Sequence, residues 1–340
     1  MIFLDKNEFP TDLPKDIKEE VISELLISDW NRYPVAESQE LIALLAQLNN
    51  VPNDSLILGN GSSGLIMRFL GELSKHYNRI VTPNPSFELF DICPKLFNLN
   101  HINWDFNHEL EYDYVGFPRG KNSIYVFCTP NNPTGTLIDP IFVETEIAND
   151  PSSVFLIDEA YAEFANDSYA HLTQKYSNVI VLKTFSKALG AAAIRLGYAM
   201  CSDTIKNQLK KNDLPFKFSP FTIISAKVLL NNFEKVIQPR IEKIIEAREK
   251  MYHTLNEMLL DGEVKVSKSH GNFIPIRFYN ESLKNEFIRR CTDSEITIGK
   301  VRNSPDFFRI TIGSEKENTK IIRVIEGLIL KPICIDDAVQ

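Results

Sequence analysis

Short apolar segments recur along the first 200 residues of this 340-residue chain, and they constrain its fold more than any other feature. Five of them are rich in Val, Ile, Leu and Phe and are separated by helical or loop segments, at residues 79–82, 123–129, 154–158, 179–184 and 195–201. They show little polar alternation, which is typical of strands buried on both faces of a mostly parallel sheet. The sequence therefore predicts an α/β fold.

A further strand and helix precede these segments and are joined by a glycine-rich turn. Residues 56–58 are apolar, residues 59–64 read Gly-Asn-Gly-Ser-Ser-Gly, and an apolar stripe with helical spacing runs from Leu65 to Leu73. The same spacing predicts two helices upstream, over residues 14–30 and 36–50.

The last third of the chain has a different pattern. Residues 220–260 are largely helical, with an interruption at Pro239. Beyond them the pattern predicts strands at 272–278, 295–301 and 307–313 and helices near 281–291 and 315–330. We therefore predict a boundary between residues 235 and 245. The resulting units are an N-terminal arm or small-domain segment (1–30), a large domain (31–240) and a small α+β domain (241–340).

Composition excludes several classes of protein. A formal net charge of −8 argues against a broad nucleic-acid surface. The N-terminus lacks the apolar region of a signal peptide, and no apolar run approaches the roughly 20 residues that span a bilayer. Five cysteines without a Cys-x-x-Cys pair indicate reduced thiols in the cytoplasm, at positions 93, 128, 201, 291 and 334. We expect no metal, nucleic-acid or membrane partner.

Two residues of opposite charge follow neighbouring strand candidates. Lys187 lies just beyond residues 179–184, and Asp158 ends residues 154–158, so both fall at the carboxyl edge of the sheet, where ligands bind. Pyridoxal phosphate (PLP) needs such a pair, because a lysine forms a Schiff base with its aldehyde and an acid keeps its ring nitrogen protonated. Alone, Lys187 would be a surface lysine and Asp158 a helix cap.

Other polar residues could hold the phosphate and the ring of this cofactor. Ser62 and Ser63 stand where a helix begins, so their amides point toward an anion, and Ser186 and Arg195 could complete a phosphate site. Asn132 precedes a proline that restricts it to extended conformations, which could direct its amide toward a ring oxygen. Plain turns are the alternative interpretation of both segments.

Eight short motifs follow one another in a fixed order. They are Asn7-Glu8-Phe9-Pro10, Arg32-Tyr33-Pro34, Gly59-Asn60-Gly61-Ser62, Asn131-Asn132-Pro133-Thr134-Gly135, Asp158-Glu159-Ala160-Tyr161, Ser186-Lys187, Arg195-Leu196-Gly197 and Arg309-Ile310-Thr311-Ile312-Gly313. Together they resemble the class I/II aminotransferases of PLP fold type I, and within that group the histidinol-phosphate aminotransferases. Threonine-phosphate decarboxylases share many of these motifs. The resemblance implies a mostly parallel sheet between helices and a smaller α+β domain.

The resemblance also implies roles for single residues. Tyr161 would donate to the ring oxygen and join Lys187 and Asp158 in catalysis, and Phe87 would stack on the ring. Tyr33 would reach the cofactor phosphate of the other subunit, which requires a homodimer. On the substrate side, the resemblance implies roles for Arg309, which would bind the α-carboxylate, and for Asn272 and Phe9.

Two positions depart from the histidinol-phosphate aminotransferase pattern. Phe9 stands where that group usually has tyrosine, and Gly299 where it has an arginine for the distal phosphate of the substrate. Lys300 or Arg302 could replace that arginine. These departures leave the cofactor prediction intact and leave the substrate open.

The motifs therefore predict a PLP-dependent aminotransferase of amino-acid metabolism. An amino acid or amino phosphate would donate the amine to a keto-acid acceptor, and Lys187 would move a proton at the substrate α-carbon. A decarboxylase of the threonine-phosphate type is the alternative. A PLP-sensing regulator would need a basic DNA-binding segment ahead of the motifs, which begin at Asn7.

Overall fold

The computed structural model describes residues 1–35, 38–210, 214–259 and 262–329. Twelve strands are found in this part of the chain: β1 Ile2–Leu4, β2 Leu56–Gly59, β3 Arg79–Asn84, β4 Asn100–Asp105, β5 Ser123–Cys128, β6 Val154–Asp158, β7 Val179–Thr184, β8 Gly197–Cys201, β9 Val264–Val266, β10 Phe273–Phe278, β11 Ile296–Val301 and β12 Ser304–Thr311. They form a seven-stranded and a five-stranded sheet.

Helices alternate with these strands. Those of the described residues are α1 Lys15–Leu26, α2 Gln39–Asn49, α3 Gly61–Leu73, α4 Leu89–Leu96, α5 Pro140–Asn149, α6 Leu172–Lys175, α7 Asp203–Lys210, α8 Pro220–Asn231, α9 Gln238–Met258, α10 Glu281–Asp293 and α11 Glu315–Ile329. Within the described ranges, no helix is both long enough and apolar enough to cross a membrane.

The seven-stranded sheet has the order β2-β8-β7-β6-β5-β3-β4. Its strands are parallel from β7 to β4, whereas β8 is antiparallel to both β2 and β7. Side chains of adjacent residues alternate between two apolar clusters, one containing Leu58, Val81, Phe127, Phe155 and Val181 and the other Ile57, Ile80, Val126, Leu156 and Ile180. Both faces are therefore covered, as the unbroken apolar segments predict.

The five-stranded sheet has the order β1-β11-β12-β10-β9 and pairs the N-terminal strand with strands from residues 264–311. β1 runs parallel to β11, and the other pairs are antiparallel. Residues 5–9 leave β1 and extend toward the carboxyl edge of the larger sheet, where Lys6 contacts Lys187. The predicted domain limits stay a prediction; α9 runs through residue 240 without a break.

Several boundaries differ from the prediction. The strand expected over 195–201 begins at Gly197, because Arg195 has a φ of +52° and ends a 3₁₀ turn. The break expected at Pro239 lies earlier, in the π-turn Phe233–Ile237, and Pro239 occupies the first turn of α9, where proline is tolerated. The helix expected over 14–30 ends at Leu26.

Some predicted positions lie outside the described residues: positions 36 and 37 of the second helix, residue 260 of the long helical segment, residue 330 of the last helix, and Cys334. Strands β1, β4 and β9 were not predicted.

Candidate active site

A cavity of about 450 Å³ lies at the carboxyl edge of the seven-stranded sheet. Residues from both sheets and from segment 5–9 line it, among them Asp5, Lys6, Ser62, Ser63, Ser86, Phe87, Cys128, Asn132, Asp158, Tyr161, Ser186, Lys187, Arg195, Lys300, Arg302 and Arg309. The loops that follow parallel strands converge at this edge, which is why residues distant in sequence share one cavity.

Lys187 lies in the turn after β7. Its Nζ donates a hydrogen bond to the carbonyl oxygen of Lys6 at 2.7 Å and lies 5.9 Å from the centroid of the Tyr161 ring. Burial and the nearby Arg309 guanidinium lower the pKa of Lys187 to about 8. A substantial fraction of this amine is therefore neutral near physiological pH and can act as a nucleophile or base.

Asp158 is the last residue of β6, and its side chain is buried. The Ala160 amide donates to its Oδ1 at 3.1 Å. Burial raises the pKa of Asp158 to about 6, against the effect of this hydrogen bond. A cation held against Asp158 would favour its ionised form.

Tyr161 is held by a hydrogen-bonded chain that reaches the N-terminal segment. Its hydroxyl accepts from Asn7 Nδ2 at 2.9 Å, and its ring packs edge-on against Phe273. The backbone amide of Asn7 donates to Thr311 Oγ1 at 3.0 Å, and Asn272 Nδ2 donates to the backbone carbonyl oxygen of Asn7 at 3.1 Å. Asn272 is therefore linked to Tyr161 through Asn7, which belongs to the first sequence motif but was given no role of its own.

The N-terminus of α3 forms the anion-binding end of the cavity. Gly61 has a φ of +70°, and a Cβ there would lie 2.8 Å from Arg195 Nη2. Arg195 Nη1 donates to Ser186 Oγ at 3.4 Å. The absence of a side chain at Gly61 thus lets the guanidinium approach the helix start, beside Ser62 and Ser63, where backbone amides favour an anion.

Arg309 lies on β12 and lines the cavity. Its Nη1 donates to Asn132 Oδ1 and its Nη2 to the carbonyl oxygen of Asp5, while its buried Nε has no hydrogen-bond partner among the described residues. A Cβ at Gly299 would lie 3.1 Å from Arg309 Nη2 and 3.1 Å from the Asp5 carbonyl oxygen. Because glycine has no side chain, position 299 leaves room for the hydrogen bond between Arg309 and the Asp5 carbonyl oxygen.

The remaining predicted residues divide into two groups. Phe87 lines the cavity and packs edge-on against Phe90. Tyr33 is 82% exposed and stacks on Phe216, and it does not line the cavity of its own chain. Phe9 also lies outside the lining, and the Arg240 guanidinium sits 4.3 Å from its ring centroid.

Comparison with known proteins identifies the family. The sequence profile for "Aminotransferase class I and II" matches residues 1–325. A histidinol-phosphate aminotransferase of Clostridium novyi (strain NT) is 32% identical over 336 residues, which are 96% of this chain and 91% of that protein.

Solved structures share the fold at lower identity. The histidinol-phosphate aminotransferase of Sinorhizobium meliloti in complex with pyridoxal-5'-phosphate superposes with a TM-score of 0.83 at 18% identity, covering 96% of this chain and 90% of that one. The L-threonine-O-3-phosphate decarboxylase of Porphyromonas gingivalis has a TM-score of 0.82 at 21% identity, covering 97% and 100%. Likeness at this level concerns the fold alone.

The fold and the family profile together define a PLP-dependent enzyme of fold type I. The chain belongs to the class I and II aminotransferases, which transfer an amino group from an amino substrate to a keto-acid acceptor. The cavity fits the cofactor, because it combines a buried carboxylate, an amine of lowered pKa and an anion site next to Gly61. The predictions of family, fold class, enzyme type and cofactor are confirmed.

Proposed function

We propose that Lys187 carries the cofactor of this aminotransferase and that Asp158 pairs with its ring nitrogen. The observation that carries this proposal is that both residues line one cavity from adjacent strands, with the pKa of the lysine lowered to about 8. Bound PLP withdraws electrons from the substrate α-carbon and so acidifies its proton. The Lys187 amine is suited to take up that proton and return it, because its pKa lies near the working pH.

Further residues would hold the cofactor by contacts of different kinds. Tyr161 and Asn132 are assigned to the ring oxygen, and Phe87 to one face of the ring, since all three line the cavity. The α3 amides of Ser62 and Ser63, with the Ser186 hydroxyl and the Arg195 guanidinium, are assigned to the phosphate.

Arg309 is assigned to the α-carboxylate of the substrate. Its guanidinium is oriented by Asn132, and its orphaned Nε leaves hydrogen-bonding capacity in a buried setting. Asn272 is assigned a supporting role, since it contacts Asn7, which holds Tyr161. Phe9 is assigned to the substrate side, although its side chain does not line the cavity itself.

The proposed substrate is an amino acid or an amino phosphate, as the names of the curated relatives suggest. Gly299 provides no distal clamp, and Lys300 and Arg302 line the cavity while remaining exposed to water. We therefore expect poor turnover of histidinol phosphate relative to another amine in a panel of amino acids and amino phosphates. Efficient turnover that falls at least about tenfold in Lys300→Ala or Arg302→Ala would show that these cations replace the arginine.

We further propose a homodimer whose two sites each use Tyr33 of the other protomer. The supporting observation is that Tyr33 is 82% exposed and stacks on the exposed ring of Phe216. Other large apolar side chains of the same two chain segments are exposed too, and we propose that they form the interface: Leu26, Ile27, Trp30, Val35, Leu214 and Phe221. Large exposed apolar patches mark protein interfaces. The cytoplasm is the proposed location, supported by the buried thiols of Cys93, Cys128 and Cys291, which form no disulfide.

The cofactor assignment is tested by borohydride reduction, which fixes a lysine-bound PLP to the chain. Wild-type protein incubated with PLP should retain the label after denaturation, at the peptide that contains Lys187. Lys187→Ala should retain none, because the amine that forms the Schiff base is gone, and Lys183→Arg serves as a control lysine replacement nearby. Retained label in Lys187→Ala would refute the assignment, and mass spectrometry of the labelled peptide would identify the lysine used.

A further inference from the structure

A buried ionic cluster lies behind the cavity, between the ends of β6 and β7. Lys183 Nζ is 3.5 Å from Glu159 Oε2 and 3.3 Å from Glu163 Oε1. The side chains of Lys183 and Glu159 are only 8% and 0% exposed. Glu159 also accepts hydrogen bonds from Ser168 Oγ at 2.7 Å and from the Tyr169 amide at 2.5 Å.

This cluster alternates with the cavity residues along both strand ends. Asp158 and Thr184 line the cavity, whereas their chain neighbours Glu159 and Lys183 do not. Successive side chains of a strand point to opposite faces, so the ion pair ties the same two strands together from the other face of the sheet. The Glu159 amide adds a backbone hydrogen bond to the Leu182 carbonyl at 2.9 Å.

Buried charges are costly to desolvate, and apolar side chains of similar size often stabilise a protein as well or better. A contribution to the stability of the fold therefore does not by itself explain why Glu159 and Lys183 are buried together. We propose that Glu159 and Lys183 are positioning residues that fix the spacing between Asp158 and the turn that carries Lys187. This inference rests on the proposed roles of Asp158 and Lys187.

The two cofactor residues tolerate little displacement relative to each other. Lys187 follows Lys183 by four residues, and Asp158 immediately precedes Glu159, so any shift of the paired strand ends is passed directly to both cofactor residues. Displacements of about 1 Å in such a site can cost a hundredfold in rate. The ion pair would limit this movement from outside the cavity, because neither Glu159 nor Lys183 lines it.

The test compares Lys183→Met and Glu159→Gln with Lys183→Arg, which keeps the charge. Each variant is titrated with PLP by fluorescence quenching, and its thermal midpoint without cofactor is measured separately. We expect Lys183→Met and Glu159→Gln to weaken PLP binding at least about tenfold and to shift the visible absorbance band of the bound cofactor, with Lys183→Arg close to wild type. The triple variant Glu159→Gln/Glu163→Gln/Lys183→Met removes all three charges of the cluster, so it should recover stability but not cofactor affinity.

Wild-type protein and Lys187→Ala separate this inference from the proposed roles of Lys187 and Asp158. Failure of the wild type to bind PLP, or a borohydride-fixed label retained in Lys187→Ala, would overturn the proposed function. Wild-type binding with unchanged affinity and absorbance in folded Lys183→Met and Glu159→Gln would overturn the positioning role alone, even if their thermal midpoints fell. Recovery of cofactor affinity in the triple variant would also overturn it.

Discussion

Burial of the Asp158 side chain disfavours its charged form, and the nearby Lys187 offsets only part of this effect. The Asp158 pKa of about 6 lies above the value of 3.8 expected for an exposed aspartate, because burial disfavours the charged form. The folded protein therefore binds a proton at this position more tightly than the unfolded chain does. Stability falls as the pH rises from about 4 through about 6, and the loss persists at neutral pH.

Replacing Asp158 by asparagine should remove this loss. Without cofactor, Asp158→Asn should be more stable than wild type at pH 7.5, by up to about 3 kcal/mol, with a smaller difference at pH 5. The same variant should bind PLP more weakly, since the partner of the ring nitrogen has lost its charge. Urea unfolding at both pH values and a PLP titration test the two effects. A variant that is less stable than wild type at pH 7.5 would show that burial of the charged carboxylate does not destabilise the fold.

At the scale of elements, the start of α3 depends on a residue without a side chain. Gly61 has a positive φ, and a Cβ there would meet Arg195 Nη2. Gly64 lies in the same helix, where a Cβ would meet only Asn60 at an ordinary 3.5 Å. The two glycines therefore differ in what a methyl group would disturb.

Gly61→Ala should displace the Arg195 guanidinium and weaken PLP affinity at least about tenfold, since a charged hydrogen bond to the phosphate is lost. Gly64→Ala is the matched control and should leave affinity unchanged while stabilising the helix by up to about 1 kcal/mol. Equilibrium dialysis against PLP and thermal unfolding measure both properties. Equal losses of affinity in the two variants would mean that helix distortion, and not the Arg195 contact, explains the effect.

The sequence predicted the central strands because burial on both faces leaves a continuous apolar signal. β4 carries Asn100, His101 and Asn103 at the edge of the sheet and has no such signal, so it was missed. Arg195 was assigned to the following strand because no local sequence pattern indicates that an arginine has a positive φ. Elements are therefore predictable where burial is symmetric, and less so at edges and turns.

The candidate site shows the same limit over longer distances. Strand ends located Asp158 and Lys187, because a carboxyl edge is defined by the pattern itself. The role of Asn7 depends on contacts with Tyr161 and with Asn272, 265 residues away, and no local pattern encodes that approach.

At the scale of the whole molecule, the proposed role of Tyr33 depends on the assembly of two protomers. Its ring is exposed beside other apolar side chains and away from the cavity of its own chain. One chain would leave this surface in water, whereas two copies could cover it and bring each Tyr33 to the other site. Tyr33→Phe should then weaken PLP binding by about 0.5–1.5 kcal/mol, the contribution of a neutral hydrogen bond, and by more if the charge of the phosphate strengthens the bond.

A charge placed within this apolar surface should separate the protomers and thereby weaken cofactor binding. Ile27 is 85% exposed and belongs to the side chains proposed for the interface. Val115 is 95% exposed and lies outside the two chain segments that supply those side chains, which makes it the matched control. Ile27→Asp should shift sedimentation from dimer to monomer at micromolar concentration, because burying an unpaired carboxylate in an apolar interface is strongly unfavourable. Its PLP affinity should fall at least as far as in Tyr33→Phe, while Val115→Asp should remain dimeric with wild-type affinity. A wild-type protein that sediments as a monomer with full activity would refute the shared site, because Tyr33 could then reach no second cavity.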